Sequence, residues 1–252
     1  MTDVSKKIVL DSAVVVKKRI RNKKWRTLSE KLPFLEKLCY RLPQKAQDRI
    51  FAEYYTVTER IFEKAFSLIQ IGNYAARIES ILDVGCCFSS LGIELATLGF
   101  KVTGLDVNDY YLVHSNFFFV KGDLRFAPFS DGVFDLVTAI SAVEHIGLGH
   151  YGDIRDEEGD TRAVREIRRL LKPGGLFILT VPFGRKQTAP FFRVYDEAAI
   201  SWLVQGFHIL EARYFIEQEE ISWMAASKEA AAQQELNARG RNTGNVCLLL
   251  QT

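Results

Sequence analysis

A short apolar run that ends in a glycine, followed 21 residues later by an aspartate, most constrains the fold of this 252-residue chain. Residues 81–84 (Ile-Leu-Asp-Val) predict a buried strand that stops at Gly85, and residues 101–107 predict a second strand that ends near Asp106. Gly85 permits a tight turn where a Cβ would obstruct a ligand. The Asp106 carboxylate can accept both hydroxyls of a ribose. The spacing therefore predicts a nucleoside site at the carboxyl edge of a parallel sheet.

From residue 80 onward, predicted strands alternate with predicted helices. The strands are predicted over residues 81–84, 101–107, 117–120, 134–140, 176–181, 208–216 and 245–251. The helices are predicted over residues 89–98, 161–171, 198–204 and 223–239. This alternation predicts an α/β fold, a Rossmann-like, doubly wound and mostly parallel seven-stranded sheet with helices on both faces.

The first part of the chain differs from the rest in charge and pattern. Residues 1–50 carry a net charge of +9, whereas the remainder carries −7. Apolar residues recur at helical spacing from Phe51 to Ile71, so we predict a basic, helical extension or lid over residues 1–79 and a ligand-binding domain over residues 80–252. The basic stretch 17–26 could contact RNA phosphates or an anionic membrane. A solvated helix face or a mobile basic arm is the interpretation we favour.

Composition excludes several classes of protein. With 48% hydrophobic residues the chain is not disordered throughout, and its longest apolar runs fall far short of the roughly 20 residues of a membrane span. The first ten residues do not resemble a secretory signal. Four cysteines without a CxxC pair indicate a reduced, cytoplasmic protein that lacks a zinc ribbon.

Two nucleoside cofactors fit the predicted site, NAD and S-adenosylmethionine. A dinucleotide fold needs the pattern G-x-G-x-x-G, but this chain has Gly85, Cys87 and Ser90 at the three positions. Without the second glycine a pyrophosphate cannot approach the backbone closely. Because S-adenosylmethionine has no pyrophosphate, it fits better, and an NAD-dependent enzyme ranks last.

Six segments, in their order and spacing over residues 80–184, resemble the class I S-adenosylmethionine-dependent methyltransferases. They are residues 82–86, 104–107, 122–124, 131–137, 143–146 and 170–175. The chain departs from the family at Cys87 and Ser89, where glycine and a further small residue are common, which puts the shape of that loop in doubt. The stretch 143–160 is similar to a methyltransferase subgroup that is often linked to sugar or polysaccharide biosynthesis.

The resemblance implies S-adenosylmethionine as cofactor and assigns residues to it. Asp106 would bind the ribose, Asp123 would accept from the adenine amino group, and Asp83 would orient the loop or meet the methionine amino group through water. A structural hydrogen bond is an equal alternative for Asp83. The full set of expected cofactor-binding residues is Asp83, Gly85, Cys86, Cys87, Asp106, Val107, Asp123, Leu124 and Ser141.

Glu144 and His145 follow the fourth strand, where the family places the transfer site. Histidine has the pKa range of a general base, so we predict a catalytic role for the pair, against a structural or substrate-contacting one. Tyr151, Arg193 and Tyr195 are the predicted substrate-binding residues. The acidic, His-containing stretch 145–158 lacks the spacing of a metal site, and we assign no metal to it.

These observations predict an enzyme, a methyltransferase that acts on a small molecule or a saccharide, possibly at oxygen. The alternatives are an RNA methyltransferase that uses the basic N-terminal region and a non-catalytic cofactor-binding protein. Residues 141–144 read Ser-Ala-Val-Glu, so the signature for methylation of base amines is absent. The acceptor and the oligomeric state stay open, because a fold does not fix a function.

Overall fold

The computed structural model describes residues 14–20, 51–218, 222–237 and 240–252. The strands in these ranges are β1 (Val14–Ile20), β2 (Phe51–Val57), β3 (Ser80–Val84), β4 (Lys101–Asp106), β5 (Phe117–Lys121), β6 (Phe134–Ile140), β7 (Leu171–Pro182), β8 (Gln187–Thr188), β9 (Arg193–Val194), β10 (His208–Gln218), β11 (Ser222–Ala226) and β12 (Gly244–Gln251). The helices are α1 (Arg60–Tyr74), α2 (Leu91–Thr97), α3 (Gly159–Leu170), α4 (Glu197–Leu203) and α5 (Lys228–Ala232). Single 3-10 turns cover Ala75–Arg77, Cys86–Phe88, Leu124–Phe126 and Val143–His145.

The central sheet has eight strands in the order β11-β10-β12-β7-β6-β3-β4-β5. The five strands from β7 to β5 are mutually parallel, and β12, β10 and β11 pair antiparallel to their neighbours. All five parallel strands end at one edge, which is where ligands bind in such sheets. The predicted Rossmann-like fold is confirmed, with eight strands in the sheet instead of seven.

The strands at the centre of the sheet are apolar on both faces because helices cover both faces. On one face, Ile81 and its neighbours pack with Phe62 and Phe66 of α1 and with Leu95 of α2. On the other face, the alternate residues of the same strands, such as Leu82, pack with α3 and α4. The period of two along each strand thus builds a three-layer core.

The N-terminal extension is only partly helical. We predicted a helix from residue 51 to residue 71, but residues 51–57 form β2, which pairs antiparallel with β1, and α1 begins at Arg60. The sequence Phe-Ala-Glu-Tyr-Tyr-Thr-Val is rich in aromatic and β-branched residues, which favour strands. The helical prediction therefore holds over residues 60–77 and is wrong at β1 and β2. The rest of the basic region lies outside the described residues.

The predicted helix over residues 223–239 was also wrong in its first part. Residues 222–226 form β11, which supplies the eighth strand, and the helix there spans only Lys228–Ala232. The ring of Trp223 meets the ring of Phe62 edge-on with centroids 5.3 Å apart, and Phe62 stacks on Phe215 at 3.9 Å. This long-range packing outweighs the helical propensity of the alanines that follow. Among the described residues, no helix is both long enough and apolar enough to cross a membrane.

Candidate active site

A cavity of about 350 Å³ opens at the carboxyl ends of the parallel strands β3, β4, β5 and β6. Its volume lies within the range of small-molecule and cofactor sites. Eight residues predicted for the site line this cavity: Gly85, Asp106, Val107, Asp123, Leu124, Ser141, His145 and Tyr151. The sheet topology thus brings together residues that are up to 66 positions apart in the sequence.

Gly85 makes the turn that opens the cavity. Its φ of +73° lies in the left-handed region, and a Cβ at this position would lie 2.7 Å from the Cβ of Ala142. Only glycine adopts this conformation without strain. The turn directs the Cys87 N–H to a carboxylate oxygen of Asp106 at 2.9 Å. The loop and the carboxylate therefore hold each other in place.

The Asp106 carboxylate is fixed by backbone amides and still has acceptor capacity. One oxygen accepts from Cys87 N–H, and the other accepts from Asn108 N–H at 2.8 Å. A carboxylate offers about four lone-pair sites, so acceptor sites remain for the hydroxyls of a ligand. The predicted ribose role of Asp106 is compatible with this geometry and stays a prediction.

Asp123 has a partner that the sequence reading missed. Both of its oxygens accept from Arg125, with Oδ2 2.5 Å from Nη2. Burial raises the pKa of Asp123, but the hydrogen bonds and the positive charge of Arg125 outweigh burial and hold the pKa below its ordinary value of 3.8. Arg125 competes with an adenine amino group for the same oxygens. The Asp-x-Arg spacing in a 3-10 turn was the available signal.

Three residues predicted to bind the cofactor lie outside the cavity lining. The carboxyl of Asp83 is 3% exposed and accepts from the Thr138 hydroxyl at 2.8 Å, and burial raises its pKa to about 7. Cys86 is buried, and a hydrogen bond with Cys87 together with burial raises its thiol pKa. Cys87 contributes its N–H to Asp106 and is not among the lining residues. This placement agrees with a structural hydrogen bond for Asp83, one of its two predicted roles, and leaves backbone contacts as the predicted contribution of the two cysteines.

His145 lies on the cavity wall, held by a residue 46 positions away. Its Nδ1 contacts the carbonyl oxygen of Phe191, which can only accept, so Nδ1 carries the proton and Nε2 is the basic nitrogen. Burial lowers the pKa of His145 below 6.5, because it disfavours the charged imidazolium. The ring is therefore neutral at pH 7 with Nε2 able to accept a proton.

Glu144 is buried beside this histidine. Its side chain lies 3.8 Å from His145, between Oε1 and Nε2, and its Oε2 has no hydrogen-bond partner among the described residues. Burial raises the pKa of Glu144 to about 8. The predicted catalytic pair is thus a neutral imidazole next to a carboxyl group that holds its proton at pH 7.

Of the three predicted substrate-binding residues, only Tyr151 lines the cavity. Arg193 is 8% exposed, and its guanidinium donates to the carbonyl groups of residues 144, 146, 156 and 157. Tyr195 is buried and donates to Asp160 at 2.8 Å. Arg193 fastens the loop that follows β6 and Tyr195 is bonded to α3, so the prediction that they contact substrate is corrected to a structural placement.

The described residues bring one group of metal-ligating atoms together. The Sγ atoms of Cys86 and Cys87 and a carboxylate oxygen of Asp106 lie within 4.8 Å of one another. Asp106 is already held by two amides, and the buried Cys86 thiol keeps its proton. In the acidic stretch after His145, Asp153 accepts from Gly147 N–H, and Asp156 pairs with Arg125.

Arg60, which the sequence placed on a lid, lines the cavity from the first turn of α1. It pairs with Glu63, a buried residue that the sequence reading did not select. In the sequence, only the spacing of Glu63 three residues after Arg60 on a helix indicates this pair, and that spacing is common.

Comparisons with known proteins agree with this architecture. The chain is 36% identical over 109 residues to sterol 24-C-methyltransferase ERG6B of Gibberella zeae; the match covers 38% of this chain and 26% of that protein. The chain therefore spans about a quarter of the length of this relative.

Among solved structures, a SAM-dependent methyltransferase from Methanosarcina mazei has a TM-score of 0.52 at 18% identity, covering 73% of this chain and 96% of that one. The N-methyltransferase NodS from Bradyrhizobium japonicum, in complex with S-adenosylhomocysteine, has a TM-score of 0.52 at 15% identity, covering 77% and 87%. At such identities the likeness concerns the fold.

The shared fold and the similarity to curated sterol methyltransferases support the predicted resemblance to the class I S-adenosylmethionine-dependent methyltransferases. The chain belongs to the family described as "Caenorhabditis protein of unknown function, DUF268", whose model matches residues 115–243, about half of the chain.

Proposed function

We propose that this protein is an S-adenosylmethionine-dependent methyltransferase that methylates a small organic molecule. The observation that carries the proposal is the cavity at the carboxyl ends of β3 to β6, which has Gly85, Asp106 and His145 on its wall. A nucleoside-binding carboxylate and a neutral imidazole in one cavity suit group transfer from a nucleoside cofactor to an acceptor that must lose a proton.

The residues of the cavity fit the cofactor. A side chain at position 85 would clash with Ala142, so this part of the cavity wall is bare backbone. Asp106 keeps acceptor capacity for ribose hydroxyls. Bound S-adenosylmethionine supplies an electrophilic methyl group on a sulfonium. The cofactor assignments of Val107, Asp123, Leu124 and Ser141 stay predictions, and Arg125 makes the assignment of Asp123 the weakest of them.

For an acceptor hydroxyl, His145 is the base of the proposed reaction. Its Nε2 takes the proton as the oxygen attacks, while the Phe191 carbonyl holds the protonated Nδ1 and stabilises the imidazolium that forms. Glu144 lies next to the ring and takes on negative charge only at high pH. O-methylation is thus the form of the reaction that these side chains serve best.

The wall around His145 is aromatic. The ring of Tyr151 meets His145 edge-on at 5.4 Å, and Tyr151 and Phe191 are 40% and 41% exposed. Tyr151 lines the cavity, and an exposed ring there favours a ring-bearing acceptor. Sterol methyltransferases among the relatives are consistent with such a molecule. The comparisons give no support to a saccharide or to RNA.

Two measurements test the proposal. Calorimetry of the folded chain with S-adenosylhomocysteine should give saturable binding, and no binding at millimolar ligand would refute a cofactor-dependent enzyme. A pooled screen of sterols, phenols and sugars, read by mass spectrometry for a gain of one methyl group, should then identify the acceptor. Methylation of total tRNA in the same assay would favour the RNA alternative instead.

A further inference from the structure

Glu63 of α1 is buried with 0% exposure, and a glutamate is rarely buried so fully unless its carboxylate is paired. Its oxygens are satisfied by groups from several elements of the fold. Oε1 accepts from the hydroxyls of Ser141 at 2.7 Å and Thr180 at 2.8 Å, and from the Asn245 amide at 3.3 Å. Oε2 pairs with Arg60. One side chain therefore ties α1 to β7, β12 and the loop after β6.

Two of these four partners, Ser141 and Arg60, line the cavity. Ser141 has a φ of +46°, and among the described residues it is the only one other than glycine with a positive φ. Such a conformation is strained and persists only where neighbours hold it. Here the Ser141 N–H donates to the Thr180 hydroxyl at 2.9 Å, and the Ser141 hydroxyl donates to Glu63.

The sheet order sets the distance between these residues and Asp106. Strand β3 lies between β4, which ends at Asp106, and β6, which is followed by Ser141. Neighbouring strands are about 4.8 Å apart, so the two strand ends are separated by about 10 Å. An extended 5′ substituent on a nucleoside held at Asp106 is long enough to span this distance to Ser141 and Arg60.

We propose that Glu63 is a positioning residue of the cofactor cavity, which holds Ser141 through one carboxylate oxygen and Arg60 through the other. The inference rests on the proposed function, since it assigns these two residues to the amino-acid part of S-adenosylmethionine. Glu63 itself does not touch the ligand. It sets the backbone at Ser141 and the guanidinium of Arg60 in place before the ligand arrives.

The test uses Glu63→Gln and a matched control, Asn245→Ala. Glutamine keeps an oxygen for the two hydroxyls, but its amide group cannot accept from Arg60. The control removes a different partner of the same carboxylate, at a residue that is not in the cavity lining. The ligands are S-adenosylhomocysteine and 5′-methylthioadenosine, which has the same nucleoside and thioether but no amino-acid part.

In Glu63→Gln we expect the affinity for S-adenosylhomocysteine to fall about tenfold, the scale of one lost hydrogen bond to a charged group. The affinity for 5′-methylthioadenosine should change less than about twofold, because that ligand ends before the Ser141 side. Asn245→Ala should lower the unfolding temperature and leave both affinities unchanged. Equal losses for both ligands in Glu63→Gln, or no loss for either, would overturn the proposal.

Arg60→Gln alone provides a second readout where Glu63→Gln unfolds: it should weaken binding of S-adenosylhomocysteine and not of 5′-methylthioadenosine, and equal losses for both ligands would overturn the proposal. Where Glu63→Gln folds, the double variant adds a third readout. If Glu63 acts through Arg60, the double variant binds S-adenosylhomocysteine no more weakly than the weaker single variant. Additive losses would show that the two residues act independently and would refute the coupling. Failure of the unaltered protein to bind S-adenosylhomocysteine would instead refute the proposed function, so the two failures are distinguishable.

Discussion

The two ends of the cavity are built in different ways; we name them the nucleoside end and the acceptor end after the ligands proposed for them. At the nucleoside end, the turn at Gly85 and the carboxylate of Asp106 are linked by backbone amides from within 19 residues. At the acceptor end, Glu144 and His145 are held by residues almost 50 positions away, through the Phe191 carbonyl and the Arg193 guanidinium. At the first end the hydrogen bonds join residues at the ends of two neighbouring strands, whereas at the second end elements from further along the chain hold the side chains.

The largest effect is expected at the acceptor end. His145→Ala should lower turnover by roughly 10²–10⁴-fold, the usual share of general acid–base catalysis, with the affinity for S-adenosylhomocysteine nearly unchanged. Since burial lowers the pKa of His145, the rate should rise with pH below 6.5 and level off above it. The measurement is turnover against pH for the acceptor found by the screen. Near-native turnover with the same pH profile in the variant would remove His145 as the base.

Glu144→Gln should change how stability depends on pH. The pKa of Glu144 is about 8 in the folded chain and near 4.5 when exposed, so between these values the unfolded chain releases a proton that the folded chain keeps. Unfolding is therefore favoured as pH rises, by up to about 1.4 kcal/mol per pH unit. Because glutamine does not titrate, the free energy of unfolding of the variant does not fall with pH for this reason.

Urea unfolding of both proteins at pH 5, 6.5 and 8 measures the difference. We expect the variant to gain at least about 2 kcal/mol on the original protein between pH 5 and pH 8. The raised pKa of Asp83 acts with the same sign in both proteins and cancels in the comparison. Parallel stability curves would mean that Glu144 does not hold its proton in the folded state.

At the nucleoside end, Asp106→Ala should weaken binding of S-adenosylhomocysteine by about 1–3 kcal/mol, the cost of losing hydrogen bonds to a charged acceptor. Asp109→Ala is the matched control, because Asp109 is an exposed carboxylate three residues later that pairs with Lys121 on the surface. Calorimetry should show no change for the control. Equal affinities for both variants would place the nucleoside elsewhere.

The smallest effect is expected at Asp83, beneath the turn. Asp83→Asn keeps an oxygen for the Thr138 hydroxyl, so the affinity for S-adenosylhomocysteine should change less than about twofold. The same calorimetric titration measures it. A tenfold loss of affinity would instead indicate that Asp83 contacts the cofactor through water.

The sequence predicted the nucleoside end better than the acceptor end. Residues 81–106 carry a buried strand, a glycine turn and a strand-end aspartate, which are signals of local conformation. Arg193 and Tyr195 were assigned to the substrate because their place after a strand looked exposed to ligand. Their burial against the loop after β6 and against α3 depends on contacts that no local pattern reveals.

The sequence by itself determined the parallel sheet and the edge at which the cavity opens, because apolar period and glycine turns are local properties, and its motifs carried the resemblance to methyltransferases. Only the tertiary structure decided that residues 51–57 and 222–226 are strands, that Arg125 donates hydrogen bonds to the Asp123 carboxylate, and that Glu63 links α1 to Ser141. In each case the deciding interaction joins strands or side chains whose partners no local sequence pattern specifies. Burial, charge pairing and ring stacking then choose among those partners once the sheet has formed.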